Sequence, residues 1–164
     1  MDNNFNPSKE KNVLNLYADF LKNIGIDLSI LKDSDFEREI ELIQIKLSEE
    51  MLLHLLFLPL EKQYLKTISI LQFHLILHRP TINELENLKL VNALNLKIPI
   101  GKFSLDSQNN FDYRYHMTLS SLVLLKQQEF IDRFYLVLIQ LDAFFSILPL
   151  SADLDVLLEK IEKL

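Results

Sequence analysis

Leu71-Gln72-Phe73-His74-Leu75-Ile76-Leu77 is an apolar-alternating run halted at Arg79-Pro80, and it reads as a strand. Thr81, with Glu84 three residues on, forms a capping box that opens a helix reaching about Asn95. A tight hairpin follows, Ile98–Leu105 to Phe111–Met117, with Gln108-Asn109-Asn110 as its loop, where Asn tolerates positive φ. Strand, helix and hairpin in this order, with a helix towards each end of the chain, predict an α+β fold. An antiparallel sheet of about five strands packs against helices.

Outward from that stretch, Ser8 is the expected N-cap of a helix over Lys9–Ile24, with Leu14, Tyr17, Leu21 and Ile24 at helical spacing and Gly25 as its stop. Ile26–Leu31 fits a short strand or a connector. Phe36–Leu47 fits either period, although Glu41–Leu47 is strand-like. Met51–Leu58 is an apolar run of strand length, and Tyr64–His78 is a long strand after a turn at Glu61-Lys62-Gln63. A long helix spans about Lys126–Leu148 and ends near Pro149, and a short one follows over Asp153–Lys163, capped by Ser151. The expected order is helix-strand-strand-strand-helix-strand-strand-helix with an extra short C-terminal helix. A chain of 164 residues is the size of one domain, with residues 1–8 frayed.

Composition narrows the function classes. A hydrophobic share of 49% with 24% charged residues is globular, and a net charge of −6 without a basic patch argues against nucleic acid. The absence of cysteine removes disulfides and thiolate metal sites. The polar start, Met1-Asp2-Asn3-Asn4, is no secretory signal, which makes the cytoplasm the expected location. Met51–Leu60 is too short to span a membrane, and Gln140, Asp142 and Pro149 interrupt Phe134–Leu150, so no membrane partner is expected.

Strand parity assigns two sheet faces. Leu53, Leu55, Phe57, Leu71, Phe73, Leu75, Leu77, Phe103, Leu105, Phe111, Tyr113 and Tyr115 form a core face. The opposite face mixes His54, Leu56, Leu58, Gln72, His74, Ile76, His78, Lys102, Arg114 and His116, neither clean core nor clean solvent surface. Leu56, Gln72, His74, Ile76, Arg114 and His116 are the candidate partner-binding residues there. The helix Lys126–Leu148 adds a second clue. Phe130, Phe134, Leu141, Phe145 and Leu148 lie on one side, and Tyr135, Leu136, Ile139 and Ala143 on the other. A helix apolar nearly all round is expected to be covered nearly all round, by other helices or a second subunit.

No constellation points to catalysis. His74 and His78 lie roughly 13 Å apart on one strand, too far for one metal ion. The four histidines, His54, His74, His78 and His116, read as partly solvated surface groups. Ser120-Ser121 near Asp132 lacks a strained elbow with glycine and reads as a helix entry. Glu37, Glu39, Glu41 and Glu49-Glu50 read as a solvated face. Two glycines in all preclude a phosphate loop or dinucleotide fingerprint, so no cofactor is expected.

The element order resembles that of class I type III secretion chaperones, and more closely the bacterial YbjN-type family that shares their fold. The resemblance rests on Leu71-Gln72-Phe73-His74-Leu75, Val91-Asn92-Ala93-Leu94-Asn95, Ile98-Pro99-Ile100-Gly101-Lys102-Phe103-Ser104-Leu105-Asp106 and Tyr113-Arg114-Tyr115. It covers most of the chain from about Met51 onward and, more weakly, the first helix. The apolar Phe36–Leu47 segment and the extra C-terminal helix depart from the pattern. The resemblance implies a non-enzymatic homodimer that binds a protein segment, or a regulatory protein. A small-ligand binder or enzyme, with a pocket between helices and sheet, is the alternative.

Overall fold

A computed structural model describes residues 7–33, 40–49, 51–58, 68–77, 83–120, 124–147 and 154–163. Among the described residues four helices and six strands occur in the order α1 (Pro7–Asn23), β1 (Leu28–Asp33), β2 (Ile40–Ser48), β3 (Met51–Phe57), β4 (Ile68–Leu77), α2 (Glu84–Asn95), β5 (Lys102–Leu105), β6 (Phe111–Ser120), α3 (Gln127–Ile147) and α4 (Leu154–Glu162). The strands form one antiparallel sheet ordered β1-β2-β3-β4-β6-β5. The fold class is α+β, with six strands where about five were expected. The added strand is β1, which pairs with β2 along its full length, from Leu28↔Ile45 to Asp33↔Ile40. Its alternation is short, so the sequence left strand and connector undivided. The Phe36–Leu47 ambiguity resolves to strand from Ile40 onward.

Contact density divides the chain into two units, Met1–Phe73 with His116–Asp132, and His74–Tyr115 with Arg133–Leu164. β4, β6 and α3 run through both. In the first unit α1 packs on β2, burying Val13, Leu14, Tyr17, Ala18 and Leu21 at helical spacing. Tyr17 stacks on Phe130 with ring centroids 4.2 Å apart, and Phe73 lies 6.4 Å from Phe130. Ile43, Ile45, Leu53 and Leu55 complete this core. Gly25 ends α1 as expected. Its φ is +82°, Ile26 N donates to Leu21 O at 3.1 Å, and Gly25 N donates to Lys22 O at 2.9 Å, the paired bonds of a Schellman cap.

In the second unit α2 packs on β5 and α4. Leu90, Leu94, Phe103, Phe111, Tyr113, Phe134, Val137, Leu141, Phe144, Leu157 and Ile161 are buried there. The hairpin loop reads as the sequence predicts. Asn109 has φ +65°, and Asp106 Oδ1 accepts from the backbone N–H groups of Gln108 and Asn110 at 2.8 and 2.9 Å.

Three helix starts differ in detail. Ser8 lies inside α1, whose first residue is Pro7, a residue suited to the first turn because it has no N–H to leave unpaired. The cap of α2 is Asn83, whose Oδ1 accepts from Glu86 N at 3.0 Å, so the helix opens later than the Thr81 capping box predicts; Thr81 itself lies outside the described residues. At α3, Lys126 is the cap. Its carbonyl accepts from Phe130 N, and its own N–H donates to Glu129 Oε2 at 3.1 Å. The Ser151 cap, the Glu61–Gln63 turn, Tyr64–Thr67, His78, Leu148 and Pro149 fall outside the described residues.

Candidate functional site

The predicted core face is buried at Leu53, Leu55, Phe57, Leu71, Phe73, Leu75, Phe103, Phe111 and Tyr113, and half-buried at Leu77, Leu105 and Tyr115. The opposite face is therefore the one presented outward. In the first unit its register aligns Leu31, Leu42 and Leu56 across β1, β2 and β3. Leu56 is half-buried. Gln72 is buried and accepts from His116 Nε2 at 2.8 Å. On the same face Gln44 Nε2 donates to His54 Nε2 at 3.1 Å. Amide side chains thus tie both histidines down.

The second unit carries a denser cluster. Asp112, which parity places on the outward face, is only 3% exposed. Arg114, two residues on and on the same face, covers it. Arg114 Nε donates to Asp112 Oδ1 at 3.1 Å and Nη2 donates to Oδ2, a two-point pairing. His74 Nε2 lies 3.1 Å from Asp112 Oδ1 on the other side. Burial holds the His74 imidazole below its usual range; the Asp112 carboxylate works against that shift and the Arg114 charge with it. The ring is neutral at pH 7. Ile76, further along β4, is exposed. Lys102 stands directly across from Arg114 in the β5–β6 register.

Of the six candidate residues, the structure thus pairs Gln72 with His116 and joins His74 to Arg114 through Asp112. Sequence reading missed Asp112. Its signal is an acidic residue one position into a strand and two positions from an arginine, where an unpaired buried carboxylate would cost several kcal/mol (on the order of 3–5).

A third feature lies between α2, the 96–101 loop and α3 of the second unit. Leu94, Ile98, Pro99, Leu136, Ile139 and Phe144 line an open apolar groove of about 210 Å³. Its polar lining is Lys97 and Gln140, and Gln140 is bonded through both ends of its amide. Nε2 donates to Ile100 O at 2.6 Å and to Tyr113 OH at 3.1 Å, and Oε1 accepts from Ile100 N at 3.2 Å. Burial pushes the Tyr113 phenol well above its usual range. Asn95 clamps Phe103 in the same manner, donating to its carbonyl and accepting from its N–H, both at 2.8 Å. Gly101 is required here: its φ is +73°, and a Cβ would stand 2.6 Å from Tyr113 OH.

The all-round burial expected of α3 is not found within the chain. Phe130, Phe134, Val137 and Leu141 are buried, but Leu136 is 51% and Ile139 66% exposed, and Tyr135 is exposed beside them. Among the described residues, the sheet and helices leave this side of α3 exposed.

The other groups the sequence singled out have structural duties. Asp132 accepts from Gln128 Nε2 at 2.7 Å, Glu41 pairs with Lys11 at 2.6 Å and Glu49 with Lys46 at 2.7 Å. Ser121, Glu37, Glu39 and Glu50 lie outside the described residues. Among the described residues no group of three or more His, Asp or Glu stands close enough to hold a metal, and no helix is long and apolar enough to cross a membrane. A scan against protein-family models and a search of curated proteins return no match to this chain.

Proposed function

We propose that the chain is a non-enzymatic protein-binding module of chaperone-like type, a homodimer that holds a protein segment on its sheet face or edge. The observation that carries this reading is the bare side of α3, where Tyr135, Leu136 and Ile139 stand exposed beside the apolar groove. Large apolar side chains grouped around a concavity are expensive to leave in water and mark contact surfaces. A second copy covers α3 in this reading. The sheet remains free for a segment, either on its outward face or along β1, which among the described residues has a strand neighbour on one side only.

Light scattering during size exclusion tests the dimer. The expected result is a dimer at micromolar concentration that Ile139→Asp converts to a monomer with an unchanged circular dichroism spectrum. A wild-type monomer at that concentration refutes the dimer. Leu56→Asp and Ile76→Asp test the sheet face, and unchanged capture of a bound segment by both variants rules that face out.

A further inference from the structure

On the reading that the module binds a protein segment, we propose that the outward face of β4, β6 and β5 in the second unit docks an acidic segment, with Arg114 and Lys102 receiving its carboxylates. Arg114 does not float. Asp112 is nine-tenths buried or more and grips the Nε–Nη2 edge of the guanidinium at two points. The remaining N–H groups, on Nη1 and the second on Nη2, have no acceptor among the described residues, and the side chain is 50% exposed. A fixed guanidinium fork is the geometry that takes up a planar carboxylate with little ordering cost.

Lys102 supplies the second charge. It is exposed and directly opposite Arg114, and among the described residues no carboxylate pairs with it. Two like charges across a strand pair repel one another, and an anion between them turns that repulsion into attraction. Asp112 offsets one of the two positive charges, and the neutral His74 adds none. A local charge near +1 thus stands on a chain whose net charge is −6. Ile76, exposed on the same face, offers apolar contact beside the charges. Charge complementarity therefore selects an acidic partner over a basic or neutral one.

The test uses fluorescein-labelled peptides of alternating Thr with Glu, Thr with Gln and Thr with Lys, read by anisotropy against the full chain. The expected result is that the Glu peptide binds at least about tenfold tighter than the other two, a difference of about 1.4 kcal/mol. Lys102→Gln and Arg114→Gln should each weaken it about tenfold. Arg114→Gln exposes a buried carboxylate and risks the fold; Lys102→Gln, at an exposed position with no carboxylate partner among the described residues, does not. Equal binding of the Glu and Gln peptides, or a Glu peptide indifferent to Lys102→Gln, overturns the acidic site and leaves the protein-binding reading standing. Failure of all three peptides to bind overturns the acidic site. Failure of the homodimer in the proposed function would show separately, as a monomer by light scattering.

Discussion

The two units are held together by different chemistry. The first relies on rings and long strand pairs: Tyr17 lies flat on Phe130, Phe73 borders it, and β2 pairs with β1 and with β3 over six residue pairs each. The second has a four-residue strand, β5, and an irregular 96–101 loop. Backbone groups there lack strand partners, and side-chain amides from Asn95 and Gln140 take their place. Long pairing lets a core be made of grease alone. Short pairing needs buried polar side chains, because an unsatisfied backbone group costs about 1–3 kcal/mol.

That contrast can be broken at its strongest point first. Phe130→Ala should cost about 3–5 kcal/mol, since it removes a fully buried ring in contact with Tyr17, Phe20 and Phe73. Denaturant titration reads it, and a loss under about 1.5 kcal/mol would dissolve the distinction between the units. The two glycines provide a second probe. Gly101→Ala should cost about 3 kcal/mol, because positive φ adds to a clash with Tyr113, whereas Gly25→Ala meets open space and should cost about 1 kcal/mol. Equal losses at the two positions would show that the close approach to Tyr113 is not real.

Gln140→Leu is predicted to cost about 2 kcal/mol by stranding Ile100 N–H, Ile100 C=O and Tyr113 OH. Hydrogen exchange at the Ile100 amide should speed up in the same variant, and unchanged exchange would argue against the clamp. The smallest effect concerns pH. His74 has a folded-state pKa below its unfolded value of about 6.5, so the unfolded chain binds the extra proton first. The stability this gives is present above pH 6.5 and is lost as pH falls through the folded pKa. Thermal melts should therefore show His74→Gln losing less stability than the wild type on acidification below pH 6.5. A steeper loss in the variant would reverse the sign and refute the assignment.

The fold was legible where one local signal governs the outcome. Strand parity placed Leu53, Leu55, Phe73 and Phe103 inside, and glycine or asparagine marked the positive-φ positions at 25 and 109. β1 was harder because six residues carry little periodicity, and its strand identity is settled by pairing with β2. The site was less legible for a related reason. His74 and Arg114 were identifiable as polar residues on a mixed face. Their common partner Asp112 was hidden because an acid at an outward position reads as solvated until its neighbours close over it. Gln140 was visible only as a break in an apolar helix. Nothing in sequence spacing says that its amide would meet the backbone of Ile100, forty residues away.

The Asn95 clamp has a consequence for how the sheet can grow. By occupying both the N–H and the C=O of Phe103, it closes the border of β5 to any incoming strand at that point. The opposite border, β1, has no comparable seal among the described residues. A sheet sealed at one border cannot propagate edge to edge into a filament, so a strand added along β1 ends the series.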